Sequence, residues 1–180
     1  MRLLQVLRAL PDVELHLVMS APGKKTLVAE TDFTVKDVEA LAHVVHDNRD
    51  IGSPLASGSF RTAGMAVVPC SIKTLSALAS SYGDTLIARA GDVALKERRP
   101  LVVVARETPL HAGHLRQMLA LAELGAIILP PMPAFYLRPQ SIAEIVDHTV
   151  ARVLDHLGVE QTLVPEWSGT PPGRPGDPTS

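Results

Sequence analysis

Apolar positions along the chain switch repeatedly between two spacings. Leu3, Leu4, Val6, Leu7 and Leu10 recur three and four apart, with Gln5 and Arg8 set off from them, so residues 2–10 form a helix that Pro11-Asp12 ends. Residues 13–19 then alternate as a strand closing at Ser20. Helices are predicted over 23–31, with Glu30 near its end, and over 34–41, where Thr34 is the N-cap and Asp37 its capping-box partner. Residues 43–61 are rich in Asp, Gly, Ser and Pro and read as one long loop, a kind of segment that in compact domains is functional or disordered. Within it, Ala56-Ser57-Gly58-Ser59 are small enough to let a ligand approach the backbone closely.

A buried strand at 65–69 turns through Cys70-Ser71-Ile72-Lys73-Thr74 into a helix over 74–80. A helix over 84–99 puts Arg89, Asp92 and Lys96 on one face. Residues 101–105 are short, β-branched and preceded by Pro100, the pattern of a strand buried on both faces of a parallel sheet. An amphipathic helix over 111–124 ends at Gly125, and a strand at 126–129 runs into Pro130-Pro131-Met132-Pro133-Ala134-Phe135-Tyr136. The closing helix, 142–157, turns Ile142, Ile145, Val146, Val150, Val153, Leu154 and Leu157 inward and leaves Arg152 off that stripe. Strands alternating with helices, without repeat or linker, predict one α/β domain over 1–167 with a parallel sheet. The segment 168–180, with four prolines and three glycines, is expected to be a disordered tail.

Composition narrows the partners. A net charge of -2 over 180 residues does not favour nucleic acid, no apolar run approaches the roughly 18 residues of a membrane span, and Gln5, Arg8 and Asp12 interrupt any secretory signal. The single cysteine, Cys70, excludes an intrachain disulfide, fits a reducing cytoplasm, and reads as a small core residue rather than a nucleophile. Against this mild acidity, the stretch 89–115 sets Arg89, Lys96, Arg98, Arg99 and Arg106 against Asp92, Glu97 and Glu107, a local excess of two positive charges that calls for an anion. Arg106, Glu107 and Thr108 follow the buried strand, where the ligand crevice of an open α/β sheet lies. The alternative is a solvated charged helix before an ordinary core strand. Ser71 to Thr74 likewise make either an anion cradle at a helix N-terminus or a simple serine cap. His111 and His114 lie one helical turn apart without an obvious third ligand, which favours capping or surface roles over metal. The proline loop, with Phe135 and Tyr136, is either a wall for a flat apolar group or an edge turn.

Five blocks carry a resemblance. Gly58-Ser59-Phe60-Arg61-Thr62-Ala63-Gly64-Met65, Pro69-Cys70-Ser71-Ile72-Lys73-Thr74-Leu75, Ala94-Leu95-Lys96-Glu97-Arg98-Arg99-Pro100-Leu101, Arg106-Glu107-Thr108-Pro109-Leu110 and the proline loop resemble, in order and spacing, the UbiX-like flavin prenyltransferases over residues 2–167. The resemblance implies a three-layer Rossmann-like or flavodoxin-like doubly wound parallel sheet in a homo-oligomer, typically a dodecamer. It implies a metal-independent enzyme that joins the dimethylallyl group of dimethylallyl phosphate to N5 and C6 of reduced FMN. The product, prenylated FMN, serves UbiD-like decarboxylases. Ser20, the Ser71, Ile72, Lys73 and Thr74 turn and Arg106 match the family's FMN contacts; Lys96, Glu107, Tyr136 and Arg152 match the site of the allylic phosphate, with Arg89 close by. Glu30 matches a carboxylate near the reacting flavin, and Trp167 an aromatic that helps close the site. Glu30, Lys96, Arg106 and Glu107 are thereby the implied catalytic set. Cations suit a departing phosphate, and a carboxylate can orient them or move a proton.

One departure stands out. The family opens with a strand and a Gly-x-x-Gly loop that holds the FMN phosphate, whereas this sequence begins in the helix that follows, some 15 to 20 residues later by the size of a strand and turn. A misplaced start or a trimmed chain is expected, and without the first, central strand its two neighbours would keep unpaired edges beside an apolar slot. Two other readings are a truncated non-catalytic flavin-binding or scaffold subunit and an FMN-dependent cysteine decarboxylase. The second lacks its Asn-Met clamp motif here and is opposed by the Lys-Glu-Arg-Arg and Arg-Glu-Thr-Pro blocks.

Overall fold

A computed structural model describes residues 1–166. Its order is α1 (Arg2–Arg8), β1 (His16–Met19), α2 (Ala21–Glu30), α3 (Val35–Glu39), β2 (Val44–Asp47), β3 (Met65–Cys70), α4 (Ile72–Ala79), α5 (Leu86–Lys96), β4 (Leu101–Ala105), α6 (Ala112–Glu123), β5 (Ile127–Ile128) and α7 (Ile142–His156), with 3-10 turns at Pro54–Ala56 and Phe135–Leu137. Short polar side chains start most of the helices. Ser20, Thr34, Ser71, Thr85 and Ser141 each accept a hydrogen bond from a first-turn amide, and Thr34 and Asp37 complete the expected capping box.

All strand pairs are parallel. β3, β4 and β5 form one sheet with β4 in the middle, and Met65 pairs with Leu101 while Val102 pairs with Ile127. Every residue of β4 is buried, as its apolar run predicts. The two-residue alternation of the strand divides them between two layers. Leu101, Val103 and Ala105 pack with Leu75 and Leu78 of α4, Ala94 of α5 and Leu121 of α6; Val102 and Val104 pack with Val153 of α7 and with Leu3 and Leu157. This makes three layers, helices on both faces of a parallel sheet. Gly91 lets α5 and α4 meet closely, since a Cβ there would collide with the Leu78 side chain.

β1 and β2 pair separately, His16 with Val44 and Met19 with Asp47. Among the described residues neither β1 nor β2 bonds to β3, so β1 and β3 each have one edge without a strand partner there. No residue of β1 is buried, and Val68 of β3 is 43% exposed.

Several boundaries differ from the sequence reading. The predicted loop 43–61 contains β2, whose four residues are too few to display an alternation and are specified by pairing with β1. β1 is shorter than 13–19, and β5 shorter than 126–129. α5 stops at Lys96 rather than 99 because Arg98 is left-handed at φ 55°. The first turns of α7 are not part of its buried stripe: Ile142 is 81% and Val146 43% exposed, while Val150, Val153 and Leu154 are buried. No helix among the described residues is long and apolar enough to cross a membrane. Trp167 and the segment 168–180 lie outside the described residues.

Candidate flavin and phosphate site

The carboxyl ends of the strands gather one group of the predicted residues. Ser20 closes β1 and caps α2, its Oγ accepting from the Gly23 amide at 3.1 Å. Ser71 closes β3 and caps α4, with its Oγ 3.4 Å from the Thr74 amide and 3.3 Å from Thr74 Oγ1. The serine cap is thus present, and the same turn sets two hydroxyls and exposed Lys73 at the positive end of a helix. Arg106 is tied beside it, because its amide donates to the Cys70 carbonyl at 3.1 Å and so locks the end of β4 to the end of β3. Arg106, Glu107 and Thr108 are all exposed, and Glu107 accepts from the Thr108 amide at 3.1 Å ahead of a cis Thr108–Pro109 peptide.

His111 takes the capping role foreseen for it. Its Nδ1 accepts from the amides of Gly113 at 3.0 Å and His114 at 3.4 Å, and its ring stacks on His114 with centroids 3.6 Å apart. Among the described residues no three His, Cys, Asp or Glu side chains are arranged to hold a metal ion. The N-termini of α4 and α6 follow the carboxyl ends of the adjacent parallel strands β3 and β4 and so open on one edge of that sheet, an electropositive rim suited to a phosphate, while α2 opens at the carboxyl end of the β1–β2 pair. Cys70 is 0% exposed, and burial pushes its thiol up to about 12, consistent with a core role.

The five cations of the 89–115 stretch do not form one cluster. Lys96 ends α5 ahead of β4, and Arg106 follows β4, so a five-residue strand separates them, roughly 16 Å at about 3.3 Å per residue. Lys96 pairs with Glu97 at 3.7 Å. Arg89 lies two turns earlier in α5 and pairs with Asp92 at 3.6 Å. Among the described residues Arg99 forms no ion pair: its two terminal nitrogens donate to the carbonyls of Phe60 and Gly58, each at 2.7 Å. Gly58 is closely approached, as predicted for this small-residue run, but by Glu97 of the same chain, whose carboxylate occupies the place of a Cβ.

A third group lies on α7. Tyr136, in the 3-10 turn, meets His148 edge to face with centroids 6.5 Å apart, and Arg152 follows one turn later, paired with Asp155 at 2.7 Å. Burial and then Arg152 push His148 below the ordinary histidine value. Glu30 is exposed at the end of α2.

The sequence reading missed one polar network altogether. His16 Nδ1 and His46 Nε2 are 3.0 Å apart across the β1–β2 pair, His46 Nδ1 meets Ser53 Oγ at 2.8 Å, and Glu14 lies 3.4 Å from His16 Nε2. Ser53 is only 4% exposed. Burial, then His16, push His46 down, with Asp50 opposing. Its signal, a histidine in each of two paired strands, becomes visible only once β2 is recognised.

A parallel sheet with helix N-termini, hydroxyls and an arginine at its carboxyl edge defines an α/β protein with an anion-binding rim, and the model of the Flavoprotein family matches residues 1–154. The chain belongs to that family. Flavin prenyltransferase UbiX of Escherichia coli (strain K12) is 56% identical over 170 residues, covering 93% of this chain and 90% of that protein. A dodecameric FMN-dependent UbiX-like decarboxylase from Escherichia coli O157:H7 superposes with a TM-score of 0.90 at 50% identity, covering 93% of this chain and 91% of that one. AnUbiX (PadA1), solved in complex with FMN and dimethylallyl pyrophosphate, gives 0.91 at 49% identity over 94% and 89% of the two chains. Within the flavoproteins, the chain is a member of the UbiX-like flavin prenyltransferases.

Proposed function

We propose that this chain is a metal-independent prenyltransferase that joins the dimethylallyl group of dimethylallyl phosphate to N5 and C6 of reduced FMN, and that the prenylated FMN goes to UbiD-like decarboxylases. The observation that carries the reading is the coupling of the Ser71–Thr74 turn to Arg106 through the Cys70 carbonyl, at the sheet edge where the N-termini of α4 and α6 open. Hydroxyls, amide donors and a guanidinium are the donor set an FMN phosphate or ring carbonyl requires, so the residues present fit the flavin. When bound, the reduced flavin supplies the electron-rich face that receives the allylic carbon.

The side chains do the rest. Ser20, Ser71, Ile72, Lys73, Thr74 and Arg106 hold the flavin. Lys96, Arg152 and Tyr136 offer a point charge, a fork and a hydroxyl to the leaving phosphate, with Arg89 adding charge nearby. Glu107 orients the cations or moves a proton, Glu30 stands as a carboxylate toward the flavin, and Trp167 closes the site. Since Lys96 stands at the opposite end of β4 from Arg106, it serves the site of a neighbouring copy in a homo-oligomer, a dodecamer like that of the Escherichia coli O157:H7 relative. Residues 1–167 are the catalytic domain, 168–180 a tail, and the cytoplasm the place of action.

The test is anaerobic incubation with reduced FMN and dimethylallyl phosphate, then mass spectrometry of the released flavin. A gain of one five-carbon unit is expected, and an unmodified flavin would sink the reading. Lys96→Ala and Glu107→Gln should abolish transfer yet leave FMN bound, while Arg106→Ala should weaken both ligands. Equal loss of FMN from the first two would remove them from the phosphate site.

A further inference from the structure

The four residues that link α5 to β4 form a small machine. α5 ends in a Schellman-type turn: the Arg99 amide donates to the Ala94 carbonyl at 2.8 Å and the Arg98 amide to the Leu95 carbonyl at 3.0 Å, with Arg98 in the left-handed position usually given to glycine. A side chain in that conformation is strained, because its Cβ crowds the following carbonyl. The turn throws the Arg99 side chain sideways, onto the loop before β3, where its planar fork spans two carbonyls two residues apart. An ammonium group has no such fork. Drawn in this way, Gly58 comes up against the Glu97 carboxylate, which in turn pairs with Lys96.

The same loop is fastened at the other end of the helix. Asn48 accepts from the Leu86 amide through its carbonyl at 2.8 Å and from the Ile87 amide through Oδ1 at 3.1 Å. The loop therefore runs the length of α5, roughly 16 Å for eleven residues, stapled at its first turn and just past its last.

We propose that Arg99 is a positioning residue: by clipping the Gly58 and Phe60 carbonyls to the end of α5 it sets Glu97, and through Glu97 the Lys96 ammonium, in place for the anionic leaving group. This rests on the reading that Lys96 meets the phosphate of the allylic substrate. The Arg99 guanidinium is committed to the loop, both terminal nitrogens donating to its carbonyls.

The experiment compares Lys96→Ala, Arg99→Ala, Arg99→Lys and Gly58→Ala in steady-state prenyl transfer at saturating reduced FMN, with FMN titrations and melting curves alongside. Arg99→Ala should raise the KM for dimethylallyl phosphate at least tenfold with FMN affinity within twofold of wild type. Arg99→Lys should recover only part of that loss. Gly58→Ala, which pushes aside the flexible Glu97 end and keeps the carbonyl that Arg99 holds, should move KM in the same direction with little change in melting temperature. If Lys96→Ala is impaired while Arg99→Ala keeps a wild-type KM, whatever its melting temperature, Arg99 is merely structural and the inference fails alone. Parallel loss of FMN from Arg99→Ala would also overturn it. If Lys96→Ala transfers normally, the phosphate assignment fails and the inference falls with it.

Discussion

Ser71→Ala separates two roles that one hydroxyl can hold at the same helix end. As a cap, Ser71 Oγ accepts from the Thr74 amide across 3.4 Å, a long bond on an exposed residue whose place water can take. Loss of an N-cap costs about 0.5–2 kcal/mol, and the weak geometry places Ser71 in the lower half, about 0.5–1 kcal/mol. For a chain of this size that is a fall of roughly 1–4 °C in melting temperature. As a flavin contact, the same hydroxyl would donate to a charged phosphate, a bond of about 1.5–3 kcal/mol. Its loss would weaken FMN binding roughly 10- to 150-fold. The ligand effect thus exceeds the stability effect, and the two are read independently: thermal melts without flavin, and fluorescence titration of FMN. Ser71→Thr should preserve both. A variant that melts a few degrees lower but binds FMN within twofold of wild type would show that Ser71 is a cap alone, and the anion-cradle reading of this turn would fail.

Acid sensitivity and thiol reactivity follow from burial. His46 and His148 are both pushed below the ordinary histidine value of 6.5, chiefly by burial, so the folded chain binds fewer protons than the unfolded one. Their contribution to stability is whole above 6.5 and is lost as pH falls from there toward the lowered folded values. Melting temperature should therefore drop between pH 7 and pH 5, and less so in His46→Gln/His148→Gln; an equal drop in that variant would refute the assignment. The Cys70 thiol, 0% exposed and pushed up to about 12, should resist a thiol-reactive dye at pH 8 until the chain is unfolded. Prompt labelling of the native protein would contradict its burial.

What the sequence determined by itself are the features set within a few residues of one another. Thr34 and Asp37 make a capping box because the partners are three positions apart, and Ser20, Ser71 and Ser141 start helices by reaching amides of their own first turn. β4 was legible as a strand buried on both faces because an unbroken β-branched run admits little else. The coupling of the Ser71 turn to the residue after that strand follows from the carboxyl-edge rule of parallel sheets.

Tertiary structure alone decided the rest. β2 exists because β1 lies beside it, and the His16–His46–Ser53 network exists because β2 does. Charge pattern placed Lys96, Arg99 and Arg106 in one cluster, since sequence distance carries no direction. The fold sends Lys96 and Arg106 to opposite ends of a strand and commits Arg99 to two backbone carbonyls. Ile142 and Val146 share the periodicity of the buried positions of α7 but extend past the surface that Val150, Val153 and Leu154 cover. Periodicity identifies a face; only packing determines how much of that face has a neighbour to bury it.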